Sequence, residues 1–409
     1  MALKTISNLH DSISGILSNI NLSNVTDLNG CFERAVSTLL QKASVPEASG
    51  IQNITLYSGV YDYECDSKIF GTAINDIRPQ GITRNPGNFV TKVDQEDFDR
   101  TKGYYYPSGT RSTFQYENGQ PIIRIVAPFP KTQVIIDPMS SIGTTPYEWV
   151  ASGSASSLAV DSTVFYQSPS SLRFTLTGSS TGILTRTLQN SLSMADYENV
   201  GVAFLAIMIP NGATATNLTS ISLRLGSDDS NYDSVSDTDG FLGAWVSGQW
   251  LLVAFDFAGA SSTGTPDWSA IDYIQVRFAH TGTFTNFRVG GLWMSFPTPA
   301  QILYQSAAVF LPTNSSTPLT TITAVTDEII LADPAYNIYL QECALAVLQN
   351  TGASASDATS IKINQMLDGF GNDIGLYARY RGDNPSQSIR TSGTWYSTDM
   401  PYSNRNGYY

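Results

Sequence analysis

A stretch of roughly 165 residues without a single lysine, from about Gln133 to Pro297, constrains this chain more than any other feature. From Trp149 onward it holds five Arg and eleven Asp or Glu in a background of Ser, Thr and Gly. Short apolar runs recur through it at Ser171 to Leu176, Val202 to Ile209, Ile221 to Leu225, Trp250 to Phe257, Ile271 to Phe278 and Asn286 to Phe296. Turn-forming clusters separate them and no helical period links them, which predicts an all-β sandwich. The most apolar run, Val200 to Pro210, stops at about ten residues where a membrane span needs ~18, so it reads as one buried strand.

Composition narrows the chemistry. The chain of 409 residues is 42% hydrophobic and only 14% charged, a balance typical of β-rich assembled or extracellular proteins. With 22 Lys and Arg against 35 Asp and Glu, the net charge of −13 disfavours an extended basic surface for nucleic acid. Two histidines, His10 and His280, and three widely spaced cysteines, Cys31, Cys65 and Cys343, leave little material for a zinc site, a His-based triad or a disulfide framework. The cysteines read as buried free thiols. No phosphate loop, Gly-x-Ser-x-Gly or His-Glu-x-x-His occurs, and the N-terminus Met-Ala-Leu-Lys-Thr-Ile-Ser lacks the apolar core of a secretion signal. The acids Asp228, Asp229, Asp233, Asp237 and Asp239 lack the fixed register of a calcium loop and read as a solvated turn. The expectation is therefore no catalytic residues, no metal and no cofactor.

Outside the lysine-free block the period changes. Leu3, Ile6, Leu9, Ile13 and Ile20 recur at helical spacing, and Leu28, Cys31, Phe32, Ala35, Val36, Leu39 and Leu40 form a second set that Asp27 is placed to cap. Residues 1–50 are thus an N-terminal helical segment. Residues 51–132 form a small β-region with period-two runs at Ile54 to Tyr57, Val60 to Tyr63, Thr113 to Tyr116 and Ile122 to Val126. Residues 133–297 are the sandwich. In 298–383, strands over Ser306 to Leu311 and Thr320 to Val325 precede a helix opened by Asp333-Pro334 and a second running from about Asp357 to Tyr377. Residues 384–409 form an extended arm: four tyrosines and one tryptophan accompany only Ile389 and Met400 as aliphatic side chains. The fold class expected is α+β multidomain, a helical/β adaptor body formed by both termini with an inserted all-β jelly-roll sandwich.

Four segments of the block, Ser170-Ser171-Leu172-Arg173-Phe174, Ile221 to Tyr232, Gly248 to Asp256 and Asp267 to Ile274, resemble those of jelly-roll carbohydrate-binding modules. The family's closing strand commonly carries an Asp beside a structural calcium, whereas Phe287 to Leu292 here carries two glycines. Sugar recognition needs an aromatic plane for the apolar side of a pyranose, flanked by planar donors for its hydroxyls. Tyr232, Trp245, Arg224 and Arg277 are the candidates for a glycan site, while Trp250 and Trp268 fall in the fold's own core pattern.

The terminal parts, with their early helices, the strand Ile54 to Asp62, the late helix pair and the tail after Arg379-Tyr380-Arg381, resemble in layout the head-to-tail adaptor proteins of tailed bacteriophages. The resemblance implies a virion neck subunit whose helices pack on identical neighbours in a ring on the portal, beside neighbouring tail and neck proteins. DNA would be met only by passage through the ring lumen, and no membrane is involved. Arg390, Trp395, Tyr396, Tyr402, Arg405, Tyr408 and Tyr409 would be the partner-binding residues of the arm, being large amphipathic rings and planar donors. The sandwich would face outward toward a cell-surface glycan. A capsid fibre or decoration protein, and a secreted polysaccharide-acting enzyme with an accessory carbohydrate-binding module, remain the alternatives.

Overall fold

A computed structural model describes residues 4–79, 90–92, 110–117, 120–126, 133–166, 169–352, 357–370 and 373–383. Two six-stranded sheets dominate it. One runs in the order Ala155–Asp161, Ser171–Leu176, Phe284–Ser295, Val202–Met208, Trp250–Asp256, with Val134–Asp137 also paired to Phe284–Ser295. The other runs Ser261–Thr263, Tyr232–Asp237, Leu218–Gly226, Ile271–His280, Ser180–Leu192, Val150–Gly153. Every pairing within them is antiparallel, and strands distant in sequence lie side by side, as in a jelly roll.

Period two explains which side chains meet. Along Ser171–Leu176, Leu172, Phe174 and Leu176 alternate inward, and along Ile271–His280 Ile274, Val276 and Phe278 do the same. Phe174, Phe278 and Phe287 form a ring cluster with centroids 5.2 to 5.4 Å apart. Each such side chain, fully removed from water, contributes about 1.5–3 kcal/mol. Strands absent from the sequence reading include Ser180–Leu192 and Tyr232–Asp237, which are rich in Ser and Thr and leave a weak apolar signal.

Val202–Met208 is buried at six consecutive positions because its sheet is covered on both faces. Its outward residues Val202 and Phe204, with Trp293, join Leu56, Val60, Tyr63, Ile123 and Ile302 of the preceding and following segments in one apolar cluster. Phe204 stacks on Trp293 at 5.7 Å and meets Tyr57 edge-on at 5.0 Å, while Trp293 Nε1 donates to the Ser58 carbonyl at 3.1 Å. The covering layer consists of a three-stranded sheet, Ser49–Leu56, Thr298–Ser306 and Ile69–Pro79, and a four-stranded one built on Asp62–Glu64, Gln120–Val126, Thr110–Glu117 and Val90–Lys92.

The expected α+β class with a helical/β adaptor body does not hold: the described residues are mostly β, with strand residues far outnumbering helix residues, and no helical adaptor body is formed among them. Helices Ile6–Ile16, Leu28–Lys42, Asp333–Asn350, Ala358–Asp368 and Leu376–Asp383 make one cluster at the chain ends. Their buried apolar residues form one shared cluster with Val309, Phe310, Ile329 and Leu331, while Ile361 and Met366 of Ala358–Asp368 stay exposed. The Asp27 and Asp357 carboxylates cap their helices by accepting from Gly30 N at 3.1 Å and Thr359 N at 2.8 Å. The helix expected to reach Tyr377 stops at Asp368, because Gly369 takes φ 90° and turns the chain into a short hairpin before Leu376–Asp383. The expected strand at Thr320 to Val325 is likewise absent; Phe310–Leu311 pairs with Glu328–Ile329 instead. All three cysteines are free and buried, and burial pushes the Cys65 thiol up to about 12.

Candidate functional site

With one sheet covered on both faces, the outer face of the other is where the sandwich meets solvent. Alternation along its strands sends Ser222 and Arg224, Tyr232 and Ser234, Tyr273, Gln275 and Arg277, and Thr185 to that face. Register then decides the neighbours: Arg224 lies opposite Gln275 and Ser234, Gly226 opposite Tyr232 and Tyr273, and Arg277 opposite Ser222 and Ile183.

The Arg224 guanidinium lies 4.4 Å above the centre of the Tyr232 ring, and its Nη1 donates to Gln275 Oε1 at 3.1 Å. Gln275 Nε2 in turn donates to the Tyr273 hydroxyl at 2.9 Å and to Thr185 Oγ1 at 3.2 Å. The Tyr232 and Tyr273 rings sit 6.3 Å apart at 36°. Burial raises the Tyr273 hydroxyl's pKa, and the charges of Arg224 and Arg277 both act against that rise. The result is an aromatic plane carrying a stacked guanidinium, with a carboxamide and hydroxyls fixed beside it. Such a set can stack a sugar ring and hydrogen-bond its hydroxyls.

Three of the four sandwich residues singled out from sequence, Tyr232, Arg224 and Arg277, thus share this face. Trp245 does not. It lies between Tyr232–Asp237 and Trp250–Asp256, strands of opposite sheets, so its segment crosses from one sheet to the other and its ring is drawn into the core, 9% exposed. Sequence reasoning missed Tyr273, Gln275 and Thr185, although Tyr273-x-Gln275-x-Arg277 carries the period-two signal that could have found the first two. Trp268 is buried and its Nε1 donates to Asp233 Oδ2 at 2.6 Å. The arm residues Arg390, Trp395, Tyr396, Tyr402, Arg405, Tyr408 and Tyr409 lie outside the described residues.

The acids grouped in sequence separate in space. Asp228 accepts from Ser230 N and Asn231 Nδ2, Asp233 faces Trp268, and Asp237 accepts from Thr238 N. Among the described residues no group of three or more His, Cys, Asp or Glu side chains is arranged to hold a metal ion. On the first sheet the buried Asp161 carboxylate is instead taken by Arg288 and by the Thr163 hydroxyl and amide.

No protein-family model matches the chain, and no curated protein is similar to it in sequence. Solved structures similar to it include a family 11 carbohydrate-binding module from Clostridium thermocellum in complex with a β-1,3-1,4-mixed-linked tetrasaccharide, at 14% identity over 40% of this chain and 95% of the module, with a TM-score of 0.29. A family 30 carbohydrate-binding module matches at 15% identity over 41% of this chain and 98% of its own, TM-score 0.29. An α-L-arabinofuranosidase, MgGH51, is similar at 13% identity over 40% of this chain and 26% of the enzyme, TM-score 0.29.

Proposed function

We propose that this chain is a glycan-binding protein, that it binds through the outer face of the sheet carrying Tyr232, and that it carries out no catalysis of its own. The observation that supports this is the guanidinium of Arg224 held 4.4 Å over the Tyr232 ring by its bond to Gln275, which fixes plane and donors before any ligand arrives. Preorganisation of this kind lowers the entropy cost of binding a flexible sugar chain. Affinity electrophoresis through a panel of polysaccharides tests it. Retardation by at least one of them, weakened about tenfold by Tyr232→Ala and unaccompanied by hydrolysis, is the expected outcome. Uniform mobility across the panel would overturn the reading, and release of reducing sugar would favour the polysaccharide-acting enzyme.

The narrower role, a subunit of a ring at the neck of a tailed phage with the sandwich facing outward, rests on the order of the terminal helices and the aromatic tail. Electron microscopy of the purified protein and of virions tests it. A ring of about a dozen copies would support it, whereas a trimer would favour a fibre or decoration protein.

A further inference from the structure

The outer face of this sheet has the opposite charge to the chain that carries it. The whole chain has a net charge of −13, yet the six strands of the sheet contain only three acids, Asp233, Asp237 and Asp272. By strand alternation all three fall on the face opposite to that of Arg224 and Arg277. Asp233 is turned into the core, where it meets Trp268. The outward positions are otherwise mostly hydroxyls, with Tyr232, Tyr273 and Gln275 among them.

The two guanidiniums are diagonal neighbours. Arg224 stands opposite Gln275 and Arg277 two residues further along, opposite Ser222. Diagonal pairs on adjacent strands lie about 7–8 Å apart, within reach of long side chains. Both charges are felt at the Tyr273 hydroxyl, where Asp229, at the loop end of the face, acts in the opposite direction. Among the described residues no carboxylate forms an ion pair with Arg224 or Arg277, although Arg186 and Arg288, elsewhere in the sandwich, each have one. Two like charges kept side by side without an ion-pair partner among the described residues, in a chain with thirteen surplus acids, form a site for an anion.

We propose that this face selects an acidic polysaccharide, one whose sugar residues carry carboxylates, with Arg224 and Arg277 receiving the carboxylates and Tyr232 the apolar side of a ring. This assignment rests on the glycan-binding reading above. Carboxylates fit better than sulfates because two guanidiniums and no lysine supply too little charge for a densely sulfated chain.

The test is titration calorimetry of the full chain against polygalacturonate, alginate and hyaluronan, each beside its carboxyl-reduced neutral form. The expected result is affinity for at least one acidic form about tenfold or more above that of its reduced counterpart, falling as salt is raised. Arg277→Gln is the deciding variant, since no described hydrogen bond of the fold runs through its guanidinium, and it should remove most of that preference at an unchanged melting temperature. Arg224→Gln should act in the same direction. Equal binding of acidic and reduced forms would overturn the selectivity while leaving glycan binding intact. Binding to dextran sulfate and to none of the uronates would overturn the carboxylate assignment, and binding to nothing would remove both readings.

Discussion

Arg288 Nε donates to Asp161 Oδ2 at 2.9 Å across an intervening strand, since Ser171–Leu176 separates Ala155–Asp161 from Phe284–Ser295. The other Asp161 oxygen accepts from Thr163 Oγ1 at 2.6 Å, Thr163 N at 2.9 Å and Val164 N at 3.2 Å. One carboxylate therefore ties two strands and a turn together, spanning a third strand.

These bonds, the Thr163 hydroxyl foremost, hold Asp161 well below the usual carboxylate range. A carboxylate with a depressed folded pKa adds stability that is fully present above its unfolded value of about 3.9 and is lost as pH falls toward the folded one. Asp161→Asn should lower stability at pH 7 by about 1–3 kcal/mol, the worth of a charge-assisted bond. The difference from wild type should shrink below about pH 4. Urea titrations at several pH values check both; a gap that stays constant into acid would show that Asp161 is not a linked group.

Trp245 and Tyr232 should separate stability from binding. Trp245→Ala removes a large ring from the sandwich core and should cost about 3–5 kcal/mol in thermal or chemical denaturation. Tyr232→Ala, at a half-buried position on the outer face, should cost under about 1 kcal/mol. Equal losses would mean that Tyr232 is held by packing and not kept for a ligand.

A fragment spanning residues 133–297 should form β-structure but fail to behave as a clean monomer. Val202, Phe204 and Trp293 are buried against Leu56, Tyr63, Ile123 and Ile302, all outside that fragment. Cutting the chain there exposes a contiguous apolar patch. Dye binding and self-association alongside a β-type circular dichroism spectrum are expected. A monomeric, dye-silent fragment would show that the covering layer is dispensable.

Within the helix cluster, the buried Glu342 carboxylate accepts from Tyr377 Oη at 2.7 Å and from Lys42 Nζ at 3.1 Å. Tyr377→Phe keeps the ring but removes the hydroxyl, and should cost about 1.5 kcal/mol. Because Tyr377 belongs to Leu376–Asp383, hydrogen exchange should accelerate in that helix more than in Leu28–Lys42.

Local structure was legible from the residues alone. Apolar residues at helical spacing, with Asp27 and Asp357 ahead of them, mark the starts of Leu28–Lys42 and Ala358–Asp368, because capping and amphipathicity are properties of neighbouring residues. Alternation likewise placed Leu172, Phe174 and Leu176 on one face of a strand and Arg224 on the opposite side from Leu223 and Leu225. The continuous apolar run from Val202 marked a buried strand. Which face each pattern meets was set by long-range packing. The period of Val202–Met208 does not say that a second layer, with Tyr57 and Ile302, covers Phe204 and Trp293. Nor does any local signal send Trp245 inward while leaving Tyr232 outside. Bringing Gln275 opposite Arg224 and Tyr273 beside Tyr232 depends on register between strands some fifty residues apart, and register is set by the fit of two whole apolar faces to each other.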